Sequence, residues 1–265
     1  MNGFCKVGRS DEAVELLNEA LEMGLTPNVV TYNTLFNGYC KEGRPLMGVS
    51  VLKQMRQRNC LPDYIGYSTL LHGLLLWGKI QEAMEVYKEM MGSGFIVDER
   101  LTNGLVRGLC RQSFVQNDML EDAYEVFEQM KERAFVINQS TYVSVIEALC
   151  MAGKVDDVMV NLHKMIGLGY IPRVITVNRV IRALCVEGHI DKAILVLVLM
   201  YENRKMLSRI SYDLLISELN RQKMFLGACN IYGAALVRGV IPRKRPGRRV
   251  KALTGRPCLN HMTKA

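Results

Sequence analysis

Apolar residues in this chain recur at helical spacing, break, and recur again. Over residues 31–40, Tyr32, Leu35, Phe36 and Tyr39 stand at i, i+3, i+4 and i+7, the stripe of one helix face. Lys41-Glu42-Gly43-Arg44 interrupts the stripe, with Gly43 where a left-handed helix-ending residue belongs. A second stripe of Val49, Leu52 and Met55 follows, and Pro62 punctuates it. The pattern predicts two short helices and two breaks, and then repeats.

The register of the repeat is 35 residues. Cys5, Cys40, Cys110, Cys150 and Cys185 lie 35, 70, 40 and 35 apart, and Met55, Met90, Met130, Met165 and Met200 lie 35, 40, 35 and 35 apart. Gly8, Gly43 and Gly78, then Gly153 and Gly188, keep step. Ala13, Ala83, Ala123, Ala193 and Ala228 recur early in the second helix, where a small residue lets two helices approach closely. Acidic residues gather where that helix starts (Asp11-Glu12, Glu82, Glu121-Asp122, Asp156-Asp157, Asp191), complementing the positive end of the helix dipole. Six units follow: 29–63, 64–98, 99–138, 139–173, 174–208 and 209–243. The third is 40 residues long, its extra five near Ser113–Met119, between its two helices. The sixth is degenerate, with Asn220 for the Cys, Lys223 for the Gly and Ala235 for the Met. Residues 1–28 form a truncated repeat, so the chain starts partway through a unit, either as a fragment or with a poor cap. A fixed period of this length predicts an all-α solenoid, in which no helix pair buries its apolar face alone and stacked neighbours bury it together.

Composition narrows the function. The chain has 265 residues and a net charge of +8, but Arg243–Ala265 carries eight Lys or Arg and no acid. Residues 1–242 are then neutral, with 26 basic and 26 acidic side chains. The tail at 244–265, broken by Pro and Gly, is expected to be disordered. It could hold nucleic acid nonspecifically through phosphates, or be a solvated end or the remnant of a shifted reading frame. Apolar runs such as 194–200 are too short to cross a bilayer, so membrane insertion is not expected. No targeting peptide is expected within residues 1–28, since they read as part of a repeat. Eight Cys, five on the repeat register and none in C-x-x-C spacing, predict buried reduced thiols, with neither a disulfide framework nor a zinc site. His72, His163, His189 and His261 fall at different repeat positions and form no set with nucleophile or metal spacing. No enzyme activity, metal or cofactor is expected.

The string Val29-Val30-Thr31-Tyr32-Asn33-Thr34-Leu35, followed by Asn37-Gly38-Tyr39-Cys40-Lys41-Glu42-Gly43-Arg44, closely resembles a pentatricopeptide repeat. So do Met1-Asn2-Gly3-Phe4-Cys5-Lys6-Val7-Gly8-Arg9 and Val174-Ile175-Thr176-Val177-Asn178. The resemblance covers about residues 1–243 and is to the plain 35-residue class typical of land-plant organelle proteins. Nothing matches the C-terminal extension or the deaminase-like domain of editing members.

What the resemblance implies is a right-handed superhelix that binds single-stranded RNA sequence-specifically, about one base per unit. Carried over by position, the fifth and last residues of a unit read a base. Asn33 with Asp63 implies U, Ser68 with Asp98 G, Asn103 with Asn138 a pyrimidine, and Asn178 with Ser208 C. Val143 with Arg173 and Asp213 with Arg243 fit no base, so the implied site is 5′-UGYNCN-3′. An aliphatic second residue wedges between bases, here Val30, Ile65, Ile175 and Ile210, with Arg100 and Ser140 departing from the pattern. A basic residue after the Cys position contacts phosphate, here Lys6, Lys41, Arg111 and Arg221. Such a protein acts in organelle RNA processing, stability, splicing or translation, alone or with RNA-processing protein partners. By family habit, the mitochondrion is expected before the chloroplast. Read without the resemblance, Asn33 and Asn178 are candidate helix caps. A helical solenoid can equally serve as a protein-interaction scaffold, and a piece of a longer repeat protein can be nonfunctional.

Overall fold

The period resolves into helices whose ends are set by glycine and by polar caps. A computed structural model describes residues 1–114 and 118–247. Among the described residues the regular elements are all α-helices. They run α1 Asn2–Lys6, α2 Ser10–Glu22, α3 Val29–Lys41, α4 Pro45–Gln57, α5 Tyr64–Leu76, α6 Ile80–Gly92 and α7 Glu99–Gln112. They continue with α8 Asp118–Glu132, α9 Gln139–Met151, α10 Val155–Gly167, α11 Val174–Val186, α12 Ile190–Glu202, α13 Arg209–Arg221 and α14 Phe225–Val237. Each unit is one helical hairpin, beginning with α3–α4. The extra residues of the third unit fall between α7 and α8, and positions 115–117 of that turn lie outside the described residues.

The first helix of each hairpin ends as the glycines predict. Gly43 adopts φ +78°, and the Arg44 amide reaches back to the Tyr39 carbonyl at 2.9 Å, the closing bond of a Schellman turn. In the sixth unit Lys223 takes the same left-handed conformation, φ +60°, without glycine's freedom. The second helices start with acids in their first turn, at Asp11 and Glu12, Glu82, Asp156 and Asp157, and Asp191.

Packing divides the chain into two compact bodies, residues 1–145 and 146 onward, the division falling inside α9. In the first body, first helices stack on first helices (α1 on α3, α3 on α5, α5 on α7), and α2, α4 and α6 bridge to the next first helix. In the second body α11 stacks on α13, with α10 and α12 bridging in the same way. The core is the repeated set. Met55, Met90, Met165 and Met200 and Ala13, Ala83, Ala193 and Ala228 are all completely buried. Cys5, Cys40, Cys110 and Cys185 are buried, and the seven cysteines described are free thiols. Burial pushes the thiols of Cys40 and Cys185 up to about 11 and those of Cys110 and Cys150 up to about 12, so none is a reactive thiolate near neutrality. Gly73 admits the preceding unit's cysteine; a Cβ there would lie 2.1 Å from Cys40 Sγ.

Trp77 fastens two units together. Its indole Nε1 donates to the Cys40 carbonyl at 2.9 Å, and its ring lies against Gly43, where a Cβ would approach it to 2.9 Å. The described part of the tail also has a place. Composition sets its start at Lys244, yet residues 244–247 run back along α13. The Lys244 amide donates to Asp213 Oδ1 (2.8 Å), Asn220 Nδ2 to the Arg245 carbonyl (2.8 Å), and the Gly247 amide to Asn220 Oδ1 (2.9 Å). Asn220 stands where other units carry the buried Cys. Its amide satisfies the backbone of an extended segment that a thiol could not. Residues 248–265, the rest of that tail, lie outside the described residues. No helix among the described residues is long and apolar enough to cross a membrane.

Candidate functional site

The last residue of a unit caps the first helix of the next. Asn28, Asp63, Asp98 and Ser208 are the N-caps of α3, α5, α7 and α13, each accepting a backbone N–H three residues on. Asn138 accepts in the same way from the Thr141 amide at 2.9 Å. Capping therefore belongs to this residue; Asn33 and Asn178 sit inside α3 and α11, not at their starts. Arg173 heads α11 with no side-chain cap, since a guanidinium has no acceptor to offer.

Three of the expected pairs are brought together. Asn33 Nδ2 donates to Asp63 Oδ1 at 3.0 Å, and that oxygen also accepts from the Gly66 amide at 2.8 Å. Ser208 Oγ donates to Asn178 Oδ1 at 3.2 Å, with Ser211 Oγ donating to the same oxygen at 2.6 Å. The Asn138 amide donates to Asn103 Oδ1 at 3.2 Å. Ser68 and Asp98 share no such bond: Ser68 Oγ turns back to the Ile65 carbonyl (3.2 Å), and Asp98 takes the Leu101 amide (2.8 Å).

The pairs differ in what they leave free. Asn33, Asp63, Asn178 and Ser208 are half-buried. Asp63 keeps its second carboxylate oxygen, and Asn178 keeps both amide hydrogens. Asn103 is 3% exposed and has nothing left. Its Nδ2 donates to the Glu99 carbonyl (2.7 Å) and the Val136 carbonyl (2.9 Å); its Oδ1 accepts from Asn138 N and from Thr141 Oγ1 (2.7 Å). That fills the side chain's full hydrogen-bonding capacity. The residues that make the difference, Thr141 and Ser211, occupy the third position of the following unit. They were not among the sequence candidates, although hydroxyls recur there at Thr31, Thr141, Thr176 and Ser211. After Asn33 the third residue is Gly66, and Asn33 Oδ1 is accordingly buried without a partner.

Beside the pairs stand exposed aliphatics. Val30 is 69% exposed, Ile65 61%, Ile175 65% and Ile210 50%, each the second residue of a first helix. Arg100 and Ser140 hold this position in the third and fourth units and are exposed as well. Of the basic residues after the Cys position, Lys6, Lys41 and Arg111 are exposed. Arg221 is exposed but tied to Glu218 by two bonds of 2.9 and 2.6 Å, which hold the Glu218 carboxyl below its ordinary range. In the sixth unit Asp213 is occupied by the Lys244 amide, and Arg243 is exposed.

Comparison with known proteins agrees with this architecture. A family model described as "PPR repeat family" matches residues 1–41, 27–76 and 112–151, and one described as "PPR repeat" matches 65–95, 140–170 and 175–204. No curated protein matches the chain. Among solved structures, the maize pentatricopeptide repeat protein PPR10 is 23% identical with a TM-score of 0.50, over 91% of this chain and 34% of its own. The chain thus spans about a third of that protein's length. The PPR domain of protein-only RNase P 1 from Arabidopsis thaliana, solved in complex with tRNA, is 20% identical with a TM-score of 0.51, over 65% of this chain and 89% of its own. Nuclear proteinaceous RNase P 2 from the same plant is 17% identical with a TM-score of 0.51, over 62% of this chain and 36% of its own. Taken together, the two models reach from residue 1 to residue 204 with gaps only at 96–111 and 171–174, and the chain belongs to the pentatricopeptide repeat family.

Proposed function

We propose that this chain binds single-stranded RNA in a sequence-dependent way, with the polar pairs of its first helices facing one base each. The observation that carries the reading is the recurrence of one arrangement. A half-buried amide at the fifth position meets the capping residue of the next helix, at Asn33–Asp63 and Asn178–Ser208, near an exposed aliphatic residue. Exposed aliphatics cost free energy in water and become useful once a base stacks on them. Stacking of this kind contributes roughly 1–3 kcal/mol per base.

The free atoms suit the bases the family pattern assigns. Asn33 and Asp63 present an amide N–H beside a carboxylate oxygen, which complements the adjacent O4 and N3–H of uracil. Asn178 presents two N–H donors, which complement the O2 and N3 acceptors of cytosine. Asp98 offers a carboxylate to the N1–H and N2–H of guanine. Asn103 offers nothing, so the third unit tolerates either pyrimidine through shape. The preferred site is 5′-UGYNCN-3′, and the biological effect is occupancy of an organelle transcript, which blocks nucleases or keeps RNA unfolded for processing, splicing or translation.

Filter binding with 5′-UGYNCN-3′ RNA and its single-base variants tests this reading. Replacing the first U should weaken binding by about tenfold, the equivalent of about 1.4 kcal/mol. Exchanging the pair by Asn33→Ser with Asp63→Asn should move the preference at that base and at no other. Equal affinity for all RNAs, or retention of a protein partner with no RNA bound, would overturn it.

A further inference from the structure

One unit carries more positive charge free of ion pairs on its first helix than any other. The second, ninth and thirteenth residues of a first helix lie at i, i+7 and i+11, on one face. In the third unit they are Arg100, Arg107 and Arg111; no other unit has a basic residue at more than one of these positions. The three arginines line a cavity of about 710 Å³ between α5 and α7, which no carboxylate lines. Gly104 stands on the same face between Arg100 and Arg107, and Gly108 follows, so α7 presents no side chain to the cavity at these two positions. A Cβ at Gly108 would come within 2.5 Å of Ile80 Cδ1.

The electrostatics of the cavity are unrelieved. Arg107 has one partner, a long 3.5 Å bond to Asn138 Oδ1. Burial, and after it the neighbouring Arg111, hold its guanidinium below the ordinary arginine range. Arg100 and Arg111 make no ion pair among the described residues. Gln112, on the same wall, has its Oε1 buried with no hydrogen-bond donor. Elsewhere in this body some exposed cations are neutralised, as Arg44 is by Asp11 (2.7 Å) and Lys88 by Asp122 (2.9 Å).

We propose that this cavity is a phosphate-binding site that grips the RNA backbone at the step between the second and third units. The inference rests on the RNA-binding reading above and goes beyond it by naming where the strand is anchored. It also accounts for the missing aliphatic wedge at Arg100: at this step the strand is held by its phosphate, with the guanidinium plane free to stack on a base. At these three face positions the other units carry at most one basic residue, so the anchor is local to the third unit.

Two ligands separate the anchor from base reading. Pyrophosphate, titrated calorimetrically at low ionic strength, should bind the wild-type chain at one site, and the Arg100→Gln/Arg107→Gln/Arg111→Gln variant should bind it about tenfold or more weakly. With 5′-UGYNCN-3′ RNA, the slope of log affinity against log salt should be shallower in the variant by about 0.7 for each phosphate no longer neutralised. Arg111→Gln alone, at an exposed residue with no protein partner, gives a milder version of both effects should the triple variant fail to fold. If pyrophosphate binds and RNA does not, the phosphate site stands and the RNA reading falls. If RNA binds with the same salt slope in wild type and variants, the RNA reading stands and the site falls.

Discussion

Asn103→Ala and Asn33→Ala remove the same side chain from the same repeat position and should have opposite consequences. Asn103 is 3% exposed and makes four hydrogen bonds, three of them to Val136, Asn138 and Thr141, in the turn that closes its unit and the helix start of the next. Thr141 Oγ1 would keep a second partner, Asn138 Oδ1 at 3.0 Å, but the part-buried Val136 carbonyl and Asn138 amide would lose theirs. Each buried group left unpaired costs about 1–3 kcal/mol, so the loss should be about 3 kcal/mol. Asn33→Ala removes one bond to a half-buried carboxylate that keeps the Gly66 amide, and it also removes an acceptor already buried without a partner. Its cost should stay within about 1 kcal/mol. Urea unfolding followed by circular dichroism measures both. Because repeat proteins can unfold in parts, hydrogen exchange at the Asn138 amide supplies the local reading. In Asn103→Ala that amide should exchange on the order of 100-fold faster, and in Asn33→Ala at the wild-type rate. Asn33→Ala should instead weaken the preference for U at one position. Equal destabilisation by the two substitutions, or an Asn103→Ala protein as stable as wild type, would refute the division into a structural amide and a reading amide.

Three further outcomes follow from the geometry. Lys223→Gly and Ala134→Gly place glycine at positive φ (60° and 54°), where other units already have it; each should raise stability by about 1 kcal/mol, additively, in thermal melts. The folded-state pKa values of Cys40, Cys110, Cys150 and Cys185 are raised, so the native state holds protons that the unfolded state releases; stability should be unaffected below about pH 8.5 and fall between there and pH 11–12, by up to about 1.4 kcal/mol per pH unit for each thiol, as an alkaline denaturation series would show. Asn220→Ala removes both bonds that hold Arg245 and Gly247, so limited trypsin digestion should cut after Arg243 and Lys244 faster while the melt changes little.

The core was legible in the sequence because packing leaves little choice. A Met or Ala that must fit between two helices recurs at the spacing of the helices, and Met55, Met90, Ala83 and Ala193 proved completely buried. Helix ends were legible where glycine marked them, and hidden at Lys223, where the turn keeps its left-handed form without the residue that usually signals it. The difference between Asn33 and Asn103 could not be read at either position. It depends on whether the third residue of the next unit carries a hydroxyl, Thr141 in one case, or none, Gly66 in the other. The cavity at Arg100, Arg107 and Arg111 was open to discovery by comparing face positions between units. Only the packing of α7 against α5, however, sets the three guanidiniums around one space that no carboxylate lines.

The double duty of a unit's last residue limits what a repeat of this kind can read. That residue must accept a backbone N–H to start the next helix, which restricts it to Asn, Asp, Ser or Thr, with about 1 kcal/mol at stake for each cap. Asn28, Asp63, Asp98, Asn138 and Ser208 all meet the demand. Arg173 does not: it neither caps α11 nor pairs with a polar fifth residue, since Val143 stands there. Arg173→Asp should restore the cap and stabilise the second body by about 1 kcal/mol in urea unfolding. An Arg173→Asp protein no more stable than wild type would mean that the last residue of a unit does not set the start of the next helix, contrary to the geometry of Asp63 and Asp98.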